Sequence, residues 1–172
     1  MQPAVDDPPP DLDLPDLDGH PDQVRKRAIY LDACALLRPY DDLGQARVRR
    51  EADAVALVLA HVRAGRFALV VSPTHEQELP ALAQGDEAVA VRLLLERFGR
   101  PTTARPAVLR RAREWMTRGL GVADAAHLAF AEAARADFVS CDDRLLRRAA
   151  RSGDTRVWIG DPVGFCRKEN LK

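Results

Sequence analysis

Short apolar runs alternate with longer segments in which apolar residues recur every three or four positions, from Arg27 to the end of the chain. The runs are typical of buried strands and the longer segments of amphipathic helices, so their alternation predicts βα units around a mainly parallel sheet. We predict strands over 28–31, 67–71, 138–141 and 156–159. We predict helices over 45–63, 73–83, 87–98, 106–117, 122–134 and 144–151. Four of these helices form an insertion between the second and third strands.

The amino-terminal segment differs in composition from the rest of the 172-residue chain. Residues 1–24 hold seven Asp, no Lys or Arg, and half of the chain's 12 prolines. Such a segment buries too little apolar surface to offset the entropy lost on ordering it. We therefore predict a disordered, acidic, Pro-rich tail over 1–26 and one domain over 27–172. The leucines among the aspartates, Leu12, Leu14 and Leu17, leave open a weak docking motif or contact between the tail and the basic domain.

The net charge of zero conceals a basic domain. Once the seven tail aspartates are set aside, 26 basic residues face 19 acidic ones, a net charge of +7. A basic domain attracts polyanions at long range, and the planar arginine side chain pairs with phosphate bidentately. Arg38, Arg144 and Arg147 are candidates for phosphate contacts, although arginines also coat solvent-facing helices.

The cysteines and the apolar runs exclude several classes of protein. The three cysteines show no CxxC spacing, so neither a disulfide framework nor a zinc ribbon is indicated. Cys34 and Cys141 follow predicted strands, and we expect small buried residues there that lie near each other. There is no signal-peptide pattern and no apolar run of 18 residues, so we expect a cytoplasmic protein outside the membrane.

Acidic residues recur where the predicted strands end. Asp32 and Asp142 end the first and third apolar runs, Glu78 lies just past the second, and Asp124 opens a helix. In open α/β sheets the ligand crevice lies at the carboxyl ends of the strands, so these acids are expected to share one pocket. Clustered carboxylates repel one another unless a hard cation such as Mg²⁺ or Mn²⁺ lies between them. The pattern therefore predicts a divalent-metal site suited to phosphodiester hydrolysis.

Each acid also has a simpler interpretation. Asp32 and Asp124 are suited to cap helices, and either Asp142 or Asp143 could cap the helix that follows them. Capping does not explain Glu78, which lies well inside its predicted helix. Ser72 and Ser140 are placed to bond a neighbouring carboxylate, and for Ser72 we favour a helix cap. His127 is one turn from Asp124 and His75 one turn from Glu78, which allows metal binding but favours packing beneath the site.

Four segments of the sequence resemble the motifs of the PIN domain family. They are IYLDAC at 29–34 with RPYDD at 38–42, SPTHEQEL at 72–79, GVADAAHLA at 121–129 and VSCDDRLL at 139–146. The resemblance implies a three-layer α/β/α fold with a mainly parallel central sheet of four to five strands. It also implies a Mg²⁺- or Mn²⁺-dependent endoribonuclease. By position, the catalytic and metal-binding residues it implies are Asp32, Glu78, Asp124 and Asp142.

The resemblance has further implications for partners. Proteins of this kind are most often VapC-like toxins of type II toxin–antitoxin pairs, so an RNA substrate, a cognate antitoxin protein and a homodimer are expected. Glu78 is preferred to Glu76 because Leu79 completes the family's Glu-Leu pair, and Asp143 stays open as an alternative to Asp142. A solitary or housekeeping PIN nuclease and a catalytically silent module that binds RNA or protein are the alternative functions.

Other phosphate-handling classes lack their required residues. A haloacid dehalogenase would need a second Asp two residues after Asp32, where Cys34 stands. A receiver domain would need a lysine at a later strand end, and the three lysines are elsewhere. A P-loop enzyme would need GKS or GKT, which the sequence does not contain.

Overall fold

The computed structural model describes residues 26–83 and 85–172, so the predicted acidic tail lies outside the described residues except for Lys26. Five strands form one sheet in the order β3-β2-β1-β4-β5, and every pairing is parallel. The strands are β1 (Arg27–Leu31), β2 (Phe67–Val71), β3 (Gly99–Pro101), β4 (Asp137–Val139) and β5 (Ile159–Gly160). The helices are α1 (Ala33–Leu37), α2 (Ala46–Arg63), α3 (Pro73–Leu82), α4 (Asp86–Phe98), α5 (Pro106–Thr117), α6 (Val122–Ala133), α7 (Asp143–Ser152) and α8 (Pro162–Lys168), with a 3-10 turn (Arg38–Tyr40) after α1.

Strand β1 lies at the centre of the sheet and both of its faces are buried. Because successive side chains of a strand point to opposite faces, Ile29 and Leu31 pack against α1, α2 and α8, whereas Tyr30 packs against α5, α6 and α7. Helices therefore cover both sides of a parallel sheet. The predicted three-layer α/β/α fold is confirmed.

The predicted helices agree with the structure to within one residue at each end, but two predicted strands have wrong boundaries. The strand predicted over 138–141 ends at Val139, because Ser140 and Cys141 lead into the start of α7. The strand predicted over 156–159 pairs only at Ile159–Gly160. An apolar pattern reports burial, and Val157 and Trp158 pack against the helical layers without being strand residues.

The four helices of the predicted insertion are present, but β3, which was not predicted, separates α4 from α5. This strand has three residues, ends in proline and forms an edge of the sheet. It therefore contains no apolar run from which a strand could be predicted. Its glycine is required by close packing, since a Cβ at Gly99 would lie 2.3 Å from Val71 Cγ2 and 2.4 Å from the Leu95 carbonyl oxygen. The short helices α1 and α8 were also not predicted, because helices of one or two turns are too short to show a repeating apolar pattern.

A buried ion-pair network, here called the Arg111 network, joins α5 to α6. Arg111 donates from Nε to Glu132 Oε2 at 2.5 Å and from Nη2 to Oε1 at 3.0 Å. Trp115 Nε1 donates to the same carboxylate at 3.2 Å, and Asp154 accepts from Arg111 Nη1 at 2.9 Å. The network fixes the layer that carries α6 and α7.

Within 26–83 and 85–172, no helix combines the length and apolar character needed to cross a membrane.

Candidate active site

Asp32 follows β1 and caps α1. Its Oδ1 accepts from the Ala35 amide at 2.9 Å and from the Cys34 thiol at 3.0 Å. The side chain is almost fully buried, and burial raises the pKa of Asp32 well above its usual value, while a hydrogen bond from Ser140 acts in the opposite direction. No Lys or Arg of the described residues forms a salt bridge with Asp32. This carboxylate is therefore held rigidly without a compensating positive charge.

Asp142 follows β4 and caps α7 in the same way. Its Oδ1 accepts from the amides of Arg144 and Leu145 at 2.7 and 3.2 Å, and its own amide donates to Ser140 Oγ at 2.9 Å. Buried Ser140 thus lies between the two capping aspartates. In the described part of the chain, Asp142 Oδ2 has no hydrogen-bond partner. A helix cap uses one carboxylate oxygen and leaves the other available to a metal ion, so capping and metal binding do not exclude each other.

Asp124 and Glu78 complete the set of predicted acids. Asp124 lies in the first turn of α6, and its pKa is raised by burial and then by the charges of Asp142 and Glu78. Glu78, on α3, is half-buried and accepts a 2.5 Å hydrogen bond from His127 Nε2, which lowers its pKa. Asp142 and Glu78 therefore each lie close enough to Asp124 to disfavour its ionised form.

A buried chain of hydrogen bonds, formed by His127, Tyr30 and Ser72, holds Glu78 in place. Tyr30 Oη lies 2.6 Å from His127 Nδ1 and 2.5 Å from Ser72 Oγ. Because the Glu78 carboxylate accepts, His127 Nε2 carries the proton of that bond, and the Tyr30 hydroxyl links His127 Nδ1 to the Ser72 hydroxyl. The chain ties β1, α3 and α6 together and fixes where Glu78 points.

His75 has a defined protonation state beside this chain. Its Nδ1 accepts from the Ser72 amide at 3.1 Å, so Nε2 carries the proton and donates to the Leu31 carbonyl at 2.8 Å. Burial, followed by His127, lowers the pKa of His75 to about 4. His75 is thus a neutral packing residue at the N-terminal turn of α3, where Ser72 occupies the N-cap position. Both histidines lie beneath the acids, in agreement with the packing interpretation.

The two alternative acids lie in other surroundings. Glu76 is exposed and lines a separate cavity of about 480 Å³ with Leu79 and Arg92. Asp143 does not cap α7, since Asp142 does so. It is held by two Arg47 hydrogen bonds of 2.5 and 2.7 Å, which lower its pKa.

The cysteines and the candidate phosphate-binding arginines are also placed. The Cys34 thiol has its pKa raised by a hydrogen bond with Cys141 and by burial, so the two cysteines are neighbours, as predicted. Arg38 is occupied by Asp41 at 2.7 Å and Glu51 at 3.1 Å. Arg144 and Arg147 are exposed on α7.

Sequence reasoning missed Tyr30 and Arg47. Tyr30 stands two residues before Asp32, and the period of a strand places such residues on one side, which is a signal for a polar group below the site. Arg47 had no such signal, because its partner Asp143 is 96 residues away.

The donor set fits a hard divalent ion, since it consists of carboxylate oxygens that form no salt bridge with Lys or Arg of the described residues. Over the described ranges, however, no three Asp, Glu, His or Cys side chains lie close enough together to hold an ion as they stand. Convergence of all four acids on one ion therefore stays a prediction.

In an open parallel α/β fold the ligand crevice lies at the carboxyl edge of the sheet, and Asp32 and Asp142 follow β1 and β4 at that edge. The sequence matches the profile of the PIN domain family over residues 29–151, and the chain belongs to that family. The match covers well over half of the chain and includes all four acids. PIN domains are nuclease-type folds. No curated protein matches the sequence.

Proposed function

We propose that this protein is a Mg²⁺- or Mn²⁺-dependent endoribonuclease whose ion is held by Asp32, Glu78, Asp124 and Asp142. The observation that carries the proposal is that Asp142 and Glu78 lie close enough to Asp124 for their charges to raise its pKa, while none of the four acids, buried Asp32 included, forms a salt bridge with Lys or Arg within the described residues. Such a group of carboxylates is costly unless a cation offsets its charge. Perturbed carboxylates of this kind cluster at functional sites.

The chain's own residues would prepare the site before an ion binds. Asp32 and Asp142 are held by the amides at the start of α1 and α7, and Glu78 is held by His127, so few side-chain rotamers remain to be fixed. When bound, a divalent ion neutralises developing phosphate charge and lowers the pKa of an attacking water. Family membership supports nuclease chemistry, and the basic domain supports an RNA substrate.

RNA cleavage by the purified full chain tests the proposal. We expect cleavage of a structured RNA with Mg²⁺ or Mn²⁺ and none in EDTA. Asp32→Asn keeps the shape of the side chain and removes its charge, so it should reduce cleavage to the level seen in EDTA. The matched control is Glu76→Gln, which removes an exposed carboxylate two residues from Glu78 and should leave cleavage unchanged. Wild-type activity in the Asp32→Asn variant would refute the assignment.

We further infer that the enzyme acts as the toxin of a toxin–antitoxin pair and forms a homodimer. An antitoxin that presents Arg or Lys to the acids would inhibit by pairing with them, because a guanidinium forms strong charged hydrogen bonds with carboxylates. Expression should then arrest growth, the product of a neighbouring small gene should relieve the arrest, and Asp32→Asn should be harmless. Cleavage without toxicity would favour a solitary nuclease, and RNA binding without cleavage would favour a silent module.

A further inference from the structure

Helix α7 presents four arginines on one face. Arg144, Arg147, Arg148 and Arg151 are all exposed, and at 3.6 residues per turn they fall within about 100° of one another. Leu145 and Ala149 are buried on the opposite side of the same helix. We call the four residues the α7 arginine face.

The positive charge of this face is largely uncompensated. Asp143 lies 3.8 Å from Arg147 Nη1, but it is already held bidentately by Arg47. Neither Arg144 nor Arg151 forms a salt bridge with any described residue. A stable fold does not need such a face, because α7 is fixed by its buried side and its Asp142 cap.

The α7 arginine face lies beside the candidate active site. Asp142 caps this helix, so the face begins at one of the acids. Arg148 donates to the carbonyl of Gly119, in the loop that leads to Asp124 on α6. Arg118, Arg148, Arg151 and Ser152 line an open depression of about 470 Å³. The Cα–Cβ bonds of a helix tilt toward its N-terminus, which in α7 is the end that Asp142 caps.

We propose that the α7 arginine face binds the phosphodiester backbone of single-stranded RNA next to the scissile phosphate. The proposal rests on the nuclease function proposed above and names the surface that positions its substrate. Guanidinium groups pair with phosphate bidentately. Four of them spread along two helical turns suit the successive phosphates of a nucleic-acid backbone better than a single phosphate ion. Such contacts fix the register of the strand and carry no sequence information.

The salt dependence of RNA binding tests the proposal without catalysis. Binding of a labelled single-stranded RNA to the full chain in EDTA is measured by fluorescence anisotropy over a series of salt concentrations. Each phosphate contact contributes about 0.7 to the slope of log affinity against log salt for single strands. Arg144→Gln/Arg151→Gln should therefore lower the slope by about 1.4 and weaken binding several-fold at low salt.

The matched control removes the same charge elsewhere. Arg63 and Arg97 are exposed near the ends of α2 and α4, in the opposite helical layer and just before β2 and β3 begin. They therefore lie near the amino edge of the sheet, away from the acids. Arg63→Gln/Arg97→Gln should leave the slope nearly unchanged.

Three results would overturn the proposal. Equal losses in the two double variants would mean that net charge, and not this face, attracts RNA. An unchanged slope in Arg144→Gln/Arg151→Gln would exclude the contacts. If Arg144→Gln/Arg151→Gln binds RNA as the wild type does but no longer binds polyglutamate, the face binds an acidic protein segment and not RNA. Each of these results refutes only the role of the α7 arginine face, provided that the wild-type protein cleaves RNA with Mn²⁺. A wild type that cleaves no RNA refutes the nuclease function itself.

Discussion

Two regions of the protein bury carboxylates and treat them in opposite ways. In the Arg111 network, Glu132 is almost fully buried, and a bidentate guanidinium and an indole N–H meet its two oxygens. At the candidate active site, Asp32 is as deeply buried but receives an amide, a thiol and a hydroxyl, with no salt bridge to Lys or Arg in the described chain. The first arrangement stabilises the fold. The second gives up stability, which is typical of a functional site.

The largest expected effect comes from removing the positive charge of the Arg111 network. Arg111→Met keeps an apolar stem over Trp115 but leaves Glu132 buried without a counter-charge. We expect a loss of about 3–5 kcal/mol in the free energy of unfolding, measured with urea.

Two further variants check the cause of that loss. Arg113→Met, on the exposed side of the same helix, should change stability by no more than about 0.5 kcal/mol. Arg111→Met/Glu132→Gln removes the unpaired charge and keeps an acceptor for Trp115, so it should recover part of the loss. A double variant as unstable as the single one would mean that packing, and not charge, is responsible.

The next effect is a pH dependence caused by His75. Its pKa of about 4 in the folded state lies below the unfolded value of 6.5, so the folded state disfavours protonation. Stability from this group is complete above pH 6.5 and is lost as the pH falls toward 4, by about 3 kcal/mol in total. His75→Gln keeps one donor and one acceptor but does not titrate, so its unfolding free energy should fall less over this range. His61→Gln is the control, and identical pH profiles for all three proteins would contradict the prediction.

The smallest effect has the opposite sign to that of Arg111→Met. The raised pKa of Asp124 means that its ionised form destabilises the fold, so Asp124→Asn in EDTA should be more stable than the wild type at neutral pH, by at most about 1 kcal/mol. The gain should develop as the pH rises above the unfolded pKa of about 3.9 and vanish below it. Mn²⁺ should then stabilise the wild type more than the variant. Asp53→Asn, an exposed change on α2, should show neither effect, and a destabilised Asp124→Asn variant would remove the contrast between the two regions.

Periodicity was sufficient to predict the long helices and a mainly parallel sheet, because those helices and the buried strands repeat their patterns, whereas the three-layer fold came from the resemblance to the PIN family. Periodicity failed where elements are too short to repeat, as in β3 and α1. The positions of Asp32 and Asp142 follow from topology, since the ends of parallel strands meet at one edge of the sheet. The partners of the acids do not follow, because Arg47 with Asp143 and Glu78 with His127 are pairs formed between distant segments. Sequence alone therefore predicts a set of candidate acids but not which side chains they bond.

The capping bonds of Asp32 and Asp142 make three amide protons sensitive to the state of the candidate site. The amides of Ala35, Arg144 and Leu145 donate directly to carboxylates that are proposed to bind the ion. Fraying of the five-residue helix α1 or of the first turn of α7 would release a ligand, and a bound ion would in turn hold these turns closed. Hydrogen exchange at these three positions therefore reports how often the site opens, in a protein that need not be turning over substrate.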